Sequence, residues 1–220
     1  MEIFLDDFTY ANVYYTTIKI HRRLVFKSSS NKTHLIMIWF TADTHFGHKN
    51  ILEYTNRPFS SIEEMDETLI ENWNSKVSSS DRVYHLGDVG LCSPNKLRKI
   101  LERLNGNIYL IRGNHDKSAE ACKERFEWIE DYYELTVQDS EESQGKQLIV
   151  LLHYAMRVWQ ASHYGTYHLY GHSHGQLPDD PTLLSFDVGV DCHNYTPINY
   201  DDVKRIMKAK NWKPPTLRGE

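Results

Sequence analysis

From Leu35 onward, short apolar runs alternate with helical patterns, and five of the runs end in clusters of Asp, His, Asn and Gly. Apolar runs of four to seven residues have strand length, whereas helices need longer, 3.6-periodic stretches. Such alternation restricts the chain to an α/β architecture, in which ligand sites form where strands give way to loops. The strands are expected at 35–41, 82–86, 107–111, 147–152, 166–170 and 184–188, with 132–137 pairing to 147–152 as a hairpin. Helices are expected at 49–55, after a Ser60 or Ser61 cap with Glu63 or Glu64 closing a capping box, from Pro94 to the Asn105-Gly106 stop, and at 117–126 and 203–209. Strand–helix alternation at the front and consecutive strands at the back predict a mixed sheet with helices outside.

A length of 220 residues suits one well-buried α/β domain and cramps two. Residues 1–36 differ from the rest. A strand or hairpin signal at 10–26 is followed by the Ser28-Ser29-Ser30-Asn31-Lys32 run, which reads as a linker. The expected division is an extension over 1–36 and a domain over 37–220, with Met37 just before the first motif-bearing strand; an edge hairpin belonging to the domain is the equal alternative. A net charge of −5 argues against a sequence-independent grip on long nucleic acid, which calls for a basic surface. Cys92, Cys122 and Cys192 form no CxxC pair, so neither a disulfide framework nor a thiolate zinc site is indicated. No apolar run reaches membrane-spanning length and no secretory leader pattern opens the chain, so a cytoplasmic location without membrane partners is expected.

Chemistry concentrates at the strand ends. Asp43-Thr44-His45 follows the first strand, and alternate residues on extended chain point the same way, so Asp43 and His45 can reach one ion. An Asp-x-His triplet alone is equally a turn with a surface histidine. Gly87-Asp88 follows the second, and a carboxylate there has oxygens for two cations, although Gly-Asp is also an ordinary turn. Arg112-Gly113-Asn114-His115-Asp116 follows the third. Asn114 offers a neutral oxygen to a hard ion, and Asp116 is placed to orient the His115 ring; the competing reading is a helix cap. His153 ends the fourth and by itself reads as a core residue. Gly171-His172-Ser173-His174-Gly175 sets two imidazoles two residues apart, a spacing that suits metal ligands better than an exposed loop.

Together the five motifs form an ordered series that resembles the calcineurin-like metallophosphoesterase superfamily: Asp-x-His, Gly-Asp, Gly-Asn-His-Asp, an isolated His and Gly-His-x-His, over Asp43 to His174. Thr44-His45-Phe46-Gly47-His48-Lys49-Asn50 and Asp187-Val188-Gly189-Val190-Asp191 further resemble a compact bacterial and phage-type branch. The resemblance implies a four-layer α-β-β-α sandwich of mixed sheets with a dinuclear metal site at the strand ends. It implies that Asp43, His45 and His174 hold one divalent ion and Asn114, His153 and His172 the other, with Asp88 bridging. It also implies a hydroxide, activated by the two metals, that attacks phosphorus, and His115 as the acid serving the leaving oxygen. The mixed nitrogen and oxygen set suits Mn²⁺ first, then Fe, Zn²⁺ or Co²⁺, rather than Mg²⁺.

His48 and Arg112 are candidate substrate contacts, with a surface histidine and an ion-pair partner as the plain alternatives. His85 is a candidate orienting residue. Tyr14, Tyr15, Trp128, Tyr132, Tyr133 and Trp159 are stacking candidates that compete with a core role. The expected activity is a phosphodiesterase or phosphatase acting on small, nucleotide-type substrates. A nuclease on DNA or RNA is the second reading and a non-catalytic scaffold the third. The sequence leaves oligomeric state open.

Overall fold

The computed structural model describes residues 36–214, so the expected hairpin and linker of the leading segment lie outside the described residues. Two mixed sheets organise the domain. The first has the order β4-β3-β2-β1-β9, from β1 (Ile38–Thr41), β2 (Arg82–His85), β3 (Asn107–Ile111), β4 (Ile129–Glu130) and β9 (Ile198–Asn199). β1 to β4 run parallel and β9 pairs antiparallel to β1. The second has the order β5-β6-β7-β8, from β5 (Tyr132–Gln138), β6 (Lys146–Leu152), β7 (Tyr167–Tyr170) and β8 (Ser185–Asp187). There β5 is antiparallel to β6, as the hairpin pattern predicts, and β6, β7 and β8 are parallel.

The period-2 pleat sends successive side chains of the first sheet into different clusters. Trp39, Val83, Ile108 and Leu110 face one apolar cluster, which they share with Met65, Leu69, Ile70 and Trp73 of α2 (Ile62–Lys76) and Leu97, Ile100 and Leu101 of α3 (Pro94–Leu101). Phe40, Tyr84 and Ile111 face the other, where they meet Leu135, Ile149, Leu151, Leu169 and Phe186 of the second sheet. The sheets therefore pack face to face, with helices outside the first. Both caps read from sequence form. The Ser61 hydroxyl accepts from Glu64 N, and Glu64 Oε2 accepts from Ser60 N, closing the box one residue further out. Asn199 caps α5 (Tyr200–Lys208) by accepting from Asp202 N.

Three local expectations change. The helix expected over 117–126 divides into α4 (Lys117–Glu120) and a 3₁₀ turn at Lys123–Arg125, because Cys122 N bonds back three residues to Ala119 and tightens the turn. β4 and β9 contribute only two residues each to the sheet edges, too short for an apolar period to register. The short helix expected over 49–55 is α1 (Ile51–Tyr54).

A buried ion pair ties α5 to the end of β5. Asp139 Oδ2 accepts from Lys204 Nζ and from the Tyr200 hydroxyl, both at 2.8 Å. The Lys204 bond, with those from Tyr200 and Glu141 N, outweighs burial and holds the Asp139 carboxyl down at about 2. Its unfolded value is about 3.9, so the pair stabilises the fold above that pH and the contribution fades as pH falls toward 2. Asp139→Asn is expected to cost about 1.5–3 kcal/mol at neutral pH, the range for hydrogen bonds to charged groups. Thermal melts at pH 7 and at pH 2.5 check this, since the gap between variant and parent should shrink in acid.

Candidate metal centre

Parallel strands bring their C-terminal ends to one side, and the five motifs sit there. β1 runs out into Asp43-Thr44-His45 and β2 into Gly87-Asp88. The two turns are stitched by Asp43 N donating to Gly87 O (2.9 Å) and His45 N to Asp88 O (3.0 Å). The second sheet joins through His172 N, which donates to Asp43 Oδ2 at 2.8 Å, and through Val190 N, which donates to Ala42 O. Glycine is required where these chains touch. A Cβ on Gly87, at φ +93°, would lie 2.5 Å from His153 Nδ1, and one on Gly171 would lie 2.5 Å from Asp43 Oδ2.

Asp43, His45, Asp88, His172 and His174 all adopt left-handed backbone, with φ of 57°, 50°, 57°, 68° and 48°. Such conformations cost energy for residues with a Cβ, and they persist where surrounding contacts fix them, commonly at functional sites. Here amide bonds across the loops fix Asp43, His45, Asp88 and His172, and the ring contact with Asp191 holds His174.

The side chains converge into two groups. In one, Asp43, His45 and His174 bring one potential ligand atom each within 4.8 Å of the others. In the other, Asp88, His153 and His172 do the same. Asp88 lies between them: its Oδ1 accepts from His115 N, while its Oδ2 stands 3.6 Å from His45 Nε2 and 3.7 Å from His153 Nε2. His153 Nδ1 is 2.6 Å from Leu86 O, and a carbonyl only accepts, so Nδ1 carries the proton. In the neutral ring Nε2 is then a bare acceptor, yet it faces the Asn114 Oδ1 acceptor at 3.1 Å. Two such acceptors side by side fit a shared cation.

Burial sharpens that demand. Among the described residues Asp43 Oδ1 and both ring nitrogens of His45 are buried without a hydrogen-bond partner, an arrangement that is costly unless another group completes it. Burial, followed by the nearby Asp187 and Asp88 carboxylates, pushes the Asp43 carboxyl well above its usual range. Burial, then the His174 ring, drops His45 to about 2, so its imidazole stays neutral and keeps a lone pair to donate. Orphaned oxygen and nitrogen donors around a deficit of positive charge fit divalent transition ions.

The calcineurin-like phosphoesterase superfamily domain matches residues 36–184. The chain belongs to that superfamily. Calcineurin-like phosphoesterases are metal-dependent, and the two groups described above are the candidate ligand sets here. An uncharacterized protein of Methanocaldococcus jannaschii is 39% identical over 182 residues, spanning 79% of this chain and 93% of its own length. The gene 66 protein of Mycobacterium phage L5 is 40% identical over 81 residues, which cover 36% of this chain and 39% of the phage protein. The crystal structure of AQ665 from Aquifex aeolicus, a protein of unknown function, shares the fold. Its TM-score is 0.59 at 23% identity, over 78% of this chain and all of that one.

The remaining residues of this calcineurin-like site fall as follows. The exposed His115 ring stands with its centroid 5.9 Å from that of His45, and among the described residues no hydrogen bond holds it. Asp116 does not orient that ring. Its carboxylate accepts from Asp88 N, Val89 N and Gly113 N at 2.7–2.9 Å, so it braces the loops after β2 and β3 instead. Arg112 is engaged by Glu120 at 2.5 Å and by Asp131, the ion-pair alternative rather than an open anion contact. His48 lies at the rim, its ring 5.3 Å from that of His45. His85 is buried, with Nε2 3.0 Å from the Thr44 hydroxyl, which in turn donates to Val89 O and pins the first motif.

Of the stacking candidates, Trp128 and Tyr133 pack with Tyr84 and Tyr109 between the sheets, and Trp159 is buried. The aromatic rings beside the centre are Tyr54, 64% exposed and edge-on to His48, and Tyr154, 45% exposed with its hydroxyl 3.3 Å from Asn114 Oδ1. Sequence reading passed over both, and also Arg57 and Asp191 as site residues. Two of them had a signal: Tyr154 directly follows His153, and Asp191 closes the Asp187–Asp191 motif. Among the described residues no helix is long and apolar enough to cross a membrane.

Proposed function

We propose that this protein is a metal-dependent phosphodiesterase or phosphatase acting on small, nucleotide-type phosphoesters. The observation that carries the reading is the pair of ligand groups meeting at Asp88, with buried lone pairs on Asp43 and His45 that no donor among the described residues satisfies. In this reading Asp43, His45 and His174 would hold one divalent ion and Asn114, His153 and His172 a second, with Asp88 as the carboxylate between the two groups. When bound, such an ion pair supplies the positive charge that polarises a phosphoryl group and makes water acidic enough to act at neutral pH.

The chain supplies the rest. Buried His45 and His153 exclude bulk water from the floor of the site, which strengthens each electrostatic contact there. His115, exposed at the mouth and with its ring free of hydrogen bonds, gives a proton to the departing oxygen. Asp116 keeps it on station indirectly, by bracing the loop that bears it. Tyr54 and Tyr154 offer two partly open ring faces beside the centre, suited to a nucleobase, and His48 approaches the phosphate from the first motif. The net charge of −5 supports a small substrate over a long polyanion.

A screen of metal-stripped protein resupplied with Mn²⁺, Fe²⁺, Zn²⁺ or Co²⁺ tests this, using bis-p-nitrophenyl phosphate, p-nitrophenyl phosphate, cyclic nucleotides and single-stranded DNA. Hydrolysis of the diester and of cyclic nucleotides, most strongly with Mn²⁺ and abolished by chelator, is the expected result. Preference for DNA, with affinity falling steeply as salt rises, would favour a nuclease. Silence with every metal and substrate would leave only a scaffold of this fold.

A further inference from the structure

Arg57 is a buried charge that contacts the loop of the first ligand group. Its side chain is fully buried, and each of its five N–H donors has an acceptor. Nε and Nη2 reach the two oxygens of Asp191, both at 2.8 Å, in a bidentate fork. Nη2 also donates to Asp43 O at 2.7 Å, while Nη1 donates to Thr44 O at 3.0 Å and to the Met65 sulfur at 3.3 Å. Asp191 Oδ2 then lies 2.7 Å from His174 Nδ1. Since a carboxylate only accepts, the proton sits on Nδ1 and the His174 Nε2 lone pair is left over.

In the second ligand group the Asp116 carboxylate braces only backbone amides, and among the described residues no charged side chain backs a ligand ring. His153 is oriented by a neutral carbonyl, Leu86 O. The Arg57–Asp191 fork instead links residues 134 apart in sequence, and it clamps both the loop that carries Asp43 and the ring of His174. Bidentate guanidinium–carboxylate geometry fixes direction as well as charge, and a carboxylate on the far nitrogen makes an imidazole a stronger ligand.

We propose that Arg57 and Asp191 are positioning residues that prebuild the Asp43–His45–His174 group, so that the two ion positions are inequivalent and this one takes its cation first. The inference deepens the two-ion reading given above and rests on it. No part of it requires Arg57 or Asp191 to touch substrate. Their effect runs through the orientation of His174 and the backbone of Asp43 and Thr44.

Metal-free full-length protein titrated with Mn²⁺ alone, followed by calorimetry and by the electron paramagnetic resonance of free Mn²⁺, provides the test. Two binding steps are expected. The step that survives in His172→Ala identifies the Asp43 group. Asp191→Asn, nearly isosteric, should weaken that step about 10–100-fold, the usual cost of losing such a support, and leave the other step unchanged. Arg57→Lys, which keeps the charge and loses the fork, should weaken the same step. Equal weakening of both steps, or of neither, would overturn the proposal.

Should either variant fold poorly, nitrogen NMR of the histidine rings in the unmodified, metal-free protein decides the matter. His174 is expected to carry its proton on Nδ1, and a proton on Nε2 would refute the positioning pair. If unmodified protein binds no Mn²⁺ in any step, the two-ion centre fails, while the ring tautomer still judges the pair separately.

Discussion

Asp88→Asn is expected to empty both ion positions at once and to lower turnover by at least about 10³-fold, equivalent to roughly 4 kcal/mol of transition-state stabilisation. The size follows from position. Asp88 is 2% exposed, and its Oδ2 faces His45 Nε2 and His153 Nε2 at nearly equal distance, so one neutralised carboxylate affects both groups. Asparagine keeps the shape, and with its oxygen placed at Oδ1 it still accepts from His115 N, so the loop should stay folded. Metal content measured after dialysis separates the outcomes. Loss of both ions supports a bridging carboxylate, whereas loss of one would assign Asp88 to a single position.

His115→Ala should act in the opposite manner, leaving metal content intact while turnover falls about 10²–10⁴-fold, the usual worth of a positioned general acid. The structure gives reasons for the split. His115 is anchored by its backbone N–H on Asp88 Oδ1, a bond that alanine retains, and among the described residues its ring makes no hydrogen bond that the fold would miss. The deficit should be larger for substrates with poor alkoxide leaving groups than for nitrophenyl esters, which depart without help from an acid. Rates for both substrate types, set beside metal analysis, check it. Metal lost along with activity would make His115 a ligand instead.

How much of this was legible beforehand depends on the distance over which each feature is determined. Strands such as β1 and β3 and the caps at Ser61 and Asn199 arise from neighbours a few residues apart, and local pattern exposes them. The candidate ligands were legible for a related reason. Each lies directly after a strand, and Asp-x-His, Gly-Asp and Gly-His-x-His are compact enough to recognise in order.

The role expected of Asp116 failed because adjacency in sequence suggested that it serves its neighbour His115. The fold instead spends its carboxylate on the amides of residues 88, 89 and 113. Arg57 escaped notice because its partners, Asp43, Thr44 and Asp191, have no fixed spacing from it. Tyr54 and Trp159 are both aromatic residues in polar surroundings, and only packing made one of them solvent-facing and the other buried.

The sequence by itself determined the kind of fold, the strand ends that gather polar side chains and which of those are candidate donors, because strand periodicity and side-chain chemistry are local properties. Only the tertiary structure decided how close these side chains come, with Asp88 Oδ2 3.6 Å from His45 and 3.7 Å from His153, and which acids and bases brace them. Those relations join residues up to 134 positions apart, and sheet pairing and burial alone bring such residues together.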